Sequence, residues 1–309
     1  MNNTLKKIVW ITAAIAVVSL GIAAILFFAT GTVRLWEPGN GIIVDEQRSL
    51  SSSGIENIEV RTSSTDVYIA ASQGDTIAAR LHGTVYTGQA DAIPVLEAEQ
   101  NGEVLEISTK RKDGRRWGVG FFSSDLILEI QVPEQYRGAL LVRTSSGDVQ
   151  INGQNLSELS VETSSGDMQL SSIRAANISM ESSSGDQRAE GVEAERSEFA
   201  SSSGEIRVKD LQGRAGAESS SGDITLRFDA FTADLEVRSS SGDVELYLTE
   251  TAEFRVEARA SSGDIDCAFP ISLDREDSET SRNRLYATVG NGTHRVTVQT
   301  SSGDITIRP

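Results

Sequence analysis

The sequence has one cysteine, Cys267, two histidines, His82 and His294, five prolines, and aromatic residues at only 6%. A single cysteine closes no intramolecular disulfide and supplies no CxxC zinc pair. Two histidines leave little material for imidazole chemistry, and neither GxSxG nor HExxH occurs. Basic residues are also in deficit, with 28 Lys+Arg against 45 Asp+Glu and a net charge of −17. No acidic residue precedes Glu37, whereas Lys6, Lys7 and Arg34 do, so residues 37–309 carry 25 basic and 45 acidic residues. That field repels nucleic acid. What the chain has in abundance is Ser and Gly, which suits short strands and tight turns better than a helical bundle.

Only one long apolar run exists. Ile8 to Phe28 is 21 uncharged residues, about enough to cross a ~30 Å hydrocarbon core as a helix. Lys6 and Lys7 before it put the N-terminus, residues 1–7, in the cytoplasm by the positive-inside rule. The reading is a single-pass anchor at 8–28, a linker over 29–49 and an extracytoplasmic domain over 50–309. A cleaved signal peptide is the alternative, although its apolar region is usually shorter, roughly 7–15 residues.

A repeat organises the rest. Ser-Ser-Gly-Asp recurs with its glycine at Gly147, Gly166, Gly185, Gly222, Gly242, Gly263 and Gly303, and Gly204 belongs to the series with Glu205 in place of Asp. From Gly147 to Gly263 the spacings are 19, 19, 19, 18, 20 and 21. A degenerate copy, Ser63-Ser64-Thr65-Asp66, lies upstream. Apolar residues stand seven and five positions before most of these glycines, as in Leu159/Val161, and two and four after most of them, as in Met168/Leu170. This period-2 alternation on both sides of a corner predicts strand, turn, strand. A further apolar residue near plus seven (Ile173, Val192, Leu211) predicts a third inward contact. A repeat this short is too small for a propeller blade and predicts an all-β parallel β-solenoid, right-handed, with about 19–20 residues per coil. Residues 70–139 and 270–295 break the period and are expected to be insertions or caps that cover open sheet edges.

The anchor followed by alternating strands and Ser-Ser-Gly-Asp corners resembles the bacterial putative-adhesin family of extracytoplasmic domains of unknown function. The resemblance spans about residues 50–309. It implies a β-solenoid outside the membrane, and some relatives are linked to envelope stress and to sensing cationic antimicrobial peptides.

The corners allow two readings. Structurally, Gly supplies a positive φ, and the Ser and Asp side chains bond turn amides, stacking into ladders about 4.8 Å apart. Functionally, Asp148, Asp167, Asp186, Glu205, Asp223, Asp243 and Asp264 would form an acidic face attracting polycations. No metal is expected, since calcium wants a cage of six to eight oxygens. Cys267 occupies a core position rather than that of a nucleophile. A basic cluster, Lys110, Arg111, Lys112, Arg115 and Arg116, runs into Trp117, a candidate contact loop for anionic lipid or polymer; a hairpin tip with folded-back aromatics is the alternative. Acidic residues repeat at one phase in every coil, whereas a catalytic set would be a local irregularity. The expectation is a non-enzymatic protein without a cofactor, binding an envelope protein or cationic peptides, with a surface adhesin as alternative and a carbohydrate-active enzyme as a remote one.

Overall fold

A computed structural model describes residues 41–87, 93–111, 122–273 and 279–309. The expected anchor at 8–28 lies outside the described residues. Among the described residues there is no α-helix, and so none long and apolar enough to cross a membrane. They form strands throughout, from β1 (Ile42–Ser51) onward. Within the expected linker of 29–49, the residues from Ile42 on belong to β1, which pairs along its whole length with β4.

In chain order the first half comprises β2 (Asn57–Arg61), β3 (Asp66–Ser72), β4 (Thr76–Thr87), β5 (Pro94–Asn101), β6 (Val104–Arg111), β7 (Phe122–Pro133), β8 (Ala139–Thr144), β9 (Val149–Asn152), β10 (Asn155–Thr163) and β11 (Met168–Ser182). The second half comprises β12 (Gln187–Ser201), β13 (Ile206–Ser219), β14 (Ile224–Ala230), β15 (Leu235–Ser241), β16 (Val244–Tyr247), β17 (Phe254–Ser262), β18 (Ile265–Cys267), β19 (Glu279–Ser281), β20 (Arg284–Val289), β21 (His294–Ser302) and β22 (Ile305–Arg308).

Equivalent strands of successive coils stack in parallel and in register, apart from shifts between Glu193 and Arg196 and after Val208. On the wall before the corner the order is β6, β2, β8, β10, then the C-terminal parts of β11, β12 and β13, then β15, β21 and β17. On the wall after it the order is β7, β3, β9, the N-terminal parts of β11, β12 and β13, then β14, β16, β22 and β18. The alternation seen in the sequence is the inside–outside alternation of each strand. Leu159, Val161, Met168 and Leu170 are buried while Glu158, Asp167 and Gln169 are exposed. Burying such side chains contributes roughly 1.5–3 kcal/mol each, and one coil cannot bury them without its neighbours. The third inward contact is present: Ile173, Val192 and Leu211 are in register, and Phe228 continues their column.

Spatial order departs from chain order at both ends. The coil of β6 and β7 lies outside that of β2 and β3, although β8 and β9 follow it in the chain. At the other end the last coil in sequence, β21 and β22, is wedged between β15/β16 and β17/β18. The two period-breaking segments supply antiparallel additions. β1 and β4 extend the wall from β7, β5 pairs with β6, and β20 with β19 covers β17. One free edge amide is met by a carboxylate, Leu96 N donating to Glu46 Oε2 at 3.1 Å. Phe228, Phe231, Phe254 and Phe269 pack edge to face between the last coils.

Candidate functional site

The corner explains the repeat. At Gly147, Gly166, Gly185, Gly204 and Gly222 the backbone does not have a positive φ, which corrects the reason expected for glycine. The requirement comes from stacking instead. A Cβ on Gly166 would lie 2.0 Å from the carbonyl oxygen of Gly147, and one on Gly185 would lie 1.8 Å from that of Gly166. Among the corner glycines, Gly242, Gly263 and Gly303, in the last coils, combine this crowding with φ near +140°.

The two backbone forms handle the glycine amide differently. In the first, the hydroxyl three residues earlier accepts it: Gly147 N donates to Thr144 Oγ1 (3.1 Å), Gly166 N to Thr163 Oγ1 (3.0 Å) and Gly185 N to Ser182 Oγ (2.7 Å). Gly204 and Gly222 do the same with Ser201 and Ser219. In the second form, Gly242 N donates to Ser302 O and Gly303 N to Ser262 O in the adjoining coil. The corresponding hydroxyls, Ser239 Oγ and Thr300 Oγ1, are then buried without a partner, and Ala260 holds the same position before Gly263. Ser182→Ala should therefore destabilise by about 1–2 kcal/mol through the orphaned Gly185 amide, whereas Ser239→Ala should leave stability unchanged or raise it. Paired thermal melts of the two variants measure this difference.

A second corner, six residues after the first, escaped the sequence reading. Gly153, Ser172, Gly191 and Asp210 stack there with φ of 67°, 55°, 67° and 52°. Residue types tolerant of left-handed backbone were the available signal, but their variety hid it.

The predicted acidic residues do share one column, and the structure adds Asp66 and Asp304 to it. Each carboxylate caps the next coil: Asp148 N donates to Asp66 Oδ1, Asp167 N to Asp148 Oδ1, Asp186 N to Asp167 Oδ1 and Glu205 N to Asp186 Oδ1. Beyond Glu205 the chain resumes from Asp223 through Asp243 and Asp304 to Asp264, at 2.8–2.9 Å. Glu205 itself turns to Arg207. Arg188 bridges Asp186 and Asp167, and Arg282 pairs with Asp264 and holds its carboxyl below the usual range. Asp148, Asp223 and Asp243 carry no ion pair among the described residues. With Oδ1 committed to amides, the column presents separate second oxygens rather than a cage. No group of three or more metal-ligating side chains gathers among the described residues.

Beside the corners runs an open groove of about 590 Å³. Its floor is hydroxyl-rich, with Ser164, Ser183, Ser202 and Ser220, and its wall carries Glu162, Glu181 and Glu218. Arg143 at one end neutralises Glu162 through two bonds of 2.8 and 3.0 Å. The remaining wall is acidic and faces solvent.

Other candidates fall elsewhere. Lys110 extends from β6 and pairs with Glu97 at 2.9 Å, while Arg111 is placed only as the end of that strand. Lys112, Arg115, Arg116 and Trp117 lie outside the described residues. Cys267 pairs with Ile307 but is only half-buried, because β18 is the outermost strand of its wall. Burial pushes its thiol pKa up, disfavouring the nucleophilic thiolate.

Parallel coils, stacked corners and capped ends define a β-solenoid-type architecture. The chain belongs to the Toastrack DUF4097 family, which matches residues 55–308. This agrees with the resemblance drawn from the Ser-Ser-Gly-Asp series. Among solved structures, a putative adhesin from Bacteroides fragilis is similar at 15% identity, covering 85% of this chain and 97% of its own, with a TM-score of 0.51. A putative lipid binding protein from Parabacteroides distasonis matches at 16% identity over 87% and 97%, with a TM-score of 0.44. No curated protein matches the chain.

Proposed function

We propose that the protein is a non-enzymatic binding scaffold of the cell envelope, anchored by residues 8–28 with its solenoid outside the membrane. Its acidic corner and groove engage a cationic peptide or a basic segment of an envelope protein, and through that contact it contributes to sensing envelope stress. The observation that carries this reading is the alignment of two acidic rows, the Asp column and the Glu181–Glu218 wall, on either side of one hydroxyl-floored corner. An extended cationic chain can lie along the coil axis and meet the carboxylates of Asp148, Glu181, Glu218 and Asp223, which carry no ion pair among the described residues. The adhesin name carried by structural neighbours fits a binding role of the same kind.

Neutralisation tests it without disturbing the fold, because asparagine keeps the Oδ1 acceptor that the ladder uses. The variant Asp148→Asn/Glu181→Gln/Glu218→Gln/Asp223→Asn should melt like the parent yet bind a polylysine-type peptide at least about tenfold more weakly, since each surface charge contributes up to roughly 1 kcal/mol. Parent binding should fall steeply between low and physiological salt. Salt-insensitive binding, or binding unchanged in the variant, refutes the acidic face.

A further inference from the structure

The fifth position after the corner glycine faces outward on the second wall, and in the middle of the stack it changes sign. Lys209, Arg227, Tyr247 and Arg308 occupy it on the adjacent strands β13, β14, β16 and β22. Arg227, Tyr247 and Arg308 pair in register as a row with steps of about 4.8 Å, and Lys209 stands beside Arg227 at a register shift in β13, with Glu190 of β12 as its other neighbour. Lys209, Arg227 and Arg308 are exposed. Most arginines of the domain pair with a carboxylate, including Arg188 and Arg207 on the same wall. The three cations of the row have no ion pair among the described residues. The Arg227 guanidinium carbon sits over the ring of Tyr247, 4.1 Å from its centroid, and the Tyr247 hydroxyl donates to Glu245 at 2.9 Å. The ring contact restrains the guanidinium without engaging it in an ion pair, which leaves its donors available to an oxyanion.

We infer that this row binds a linear phosphodiester polymer laid along the solenoid axis. Leaving three cations unpaired in a chain of net charge −17 makes the row a local positive strip in a negative field. The occupant must be anionic and narrow, because the Asp column runs parallel to the row on the same wall, four residues away along each strand, roughly 13 Å. A flat anionic bilayer laid over the row would also be pressed against those carboxylates, whereas a single-file chain avoids them. Phosphate is the matching group, since two of the three cations are arginines whose forked donors pair with it bidentately.

The test uses the full chain in neutral detergent and an end-labelled poly(glycerol phosphate), with anisotropy read across a salt series. The parent should bind. Lys209→Gln/Arg227→Gln/Arg308→Gln should lose at least about tenfold in affinity and flatten the salt slope, by up to roughly 0.7 per cation removed. A control removing three ion-paired arginines, Arg61→Gln/Arg174→Gln/Arg238→Gln, should keep the affinity of the parent, and both variants are checked by thermal melts. Polygalacturonate, a carboxylate polymer, should bind more weakly than the phosphodiester. Absence of parent binding, or retention of full affinity by the row variant, overturns the inference. So does displacement by monomeric short-chain phosphatidylglycerol at equal phosphate concentration, which would make the ligand a lipid headgroup. Because the probe is anionic, this outcome is independent of the cationic-peptide reading of the acidic corner.

Discussion

Gly185→Ala should lower the melting temperature by about 6–20 °C, although alanine is the smallest change available and the backbone there is unstrained. The added Cβ would lie 1.8 Å from Gly166 O and 2.5 Å from its carbonyl carbon. Neither atom can move without separating two coils, and relieving the overlap breaks bonds such as Ser184 N to Ser164 O and Met168 N to Asp186 O. A cost of about 3–5 kcal/mol is in the range of severe core lesions, and at roughly 2–4 °C per kcal/mol for a domain of this size it gives the shift stated. The comparison that isolates the cause is Gly153→Asn. Gly153 has a positive φ of 67°, yet nothing lies closer to its added Cβ than Ala71 Cβ at 3.6 Å. Ser172 and Asp210 already hold that conformation in the same column. Asparagine there should change stability by no more than about 0.5 kcal/mol. If the corner glycines served left-handed backbone, the ranking would be reversed, with Gly153→Asn no milder than Gly185→Ala.

The contrast marks where sequence reasoning reached and where it stopped. Alternation around each glycine gave the inward positions correctly because it is a local property: Val149/Ile151 and Ile224/Leu226 are buried by the same pleat that spaces them. The need for glycine is not local. It arises from a carbonyl 19 residues away, visible only once coils stack. The Asp column was legible from its phase, which also held Asp66 and Asp304 although the acidic face was drawn without them, but its use of Oδ1 as a cap for the next coil was not. The hydroxyl three residues before glycine was in view as a recurring Thr or Ser, and Ala260 was the one departure that hinted at a second corner form. The cationic row had a signal too, since Lys209, Arg227 and Arg308 share one offset from their glycines. It went unread because a net charge averages away a local reversal of sign.

The order of the last coils was beyond reach for a related reason. Val296/Val298 and Val256/Ala258 obey one inward pattern, and nothing in that pattern says which coil lies inside the other. The structure places β21 between β15 and β17, so Val298 is fully buried with Val237 on one side and Ala258 on the other. Ile265, earlier in the chain, sits in the outermost coil and is only partly buried. Val298→Asp should therefore be the more damaging substitution, despite lying nearer the C-terminus. An unpaired carboxylate at 0% exposure must be desolvated or protonated, and no partner can reach it between two parallel strands. The expected result is loss of the folded C-terminal coils, read as proteolytic sensitivity spreading from β15 to β22 at room temperature. Ile265→Asp can turn its charge toward solvent past the short strand β18, so it should fray that coil alone and leave β21 and β22 protected. Were the coils stacked in chain order, Ile265 would be interior and Val298 terminal, and the two protection patterns would exchange. Limited proteolysis with mass mapping of the fragments separates the two orders directly, because each predicts a different boundary for the protected core.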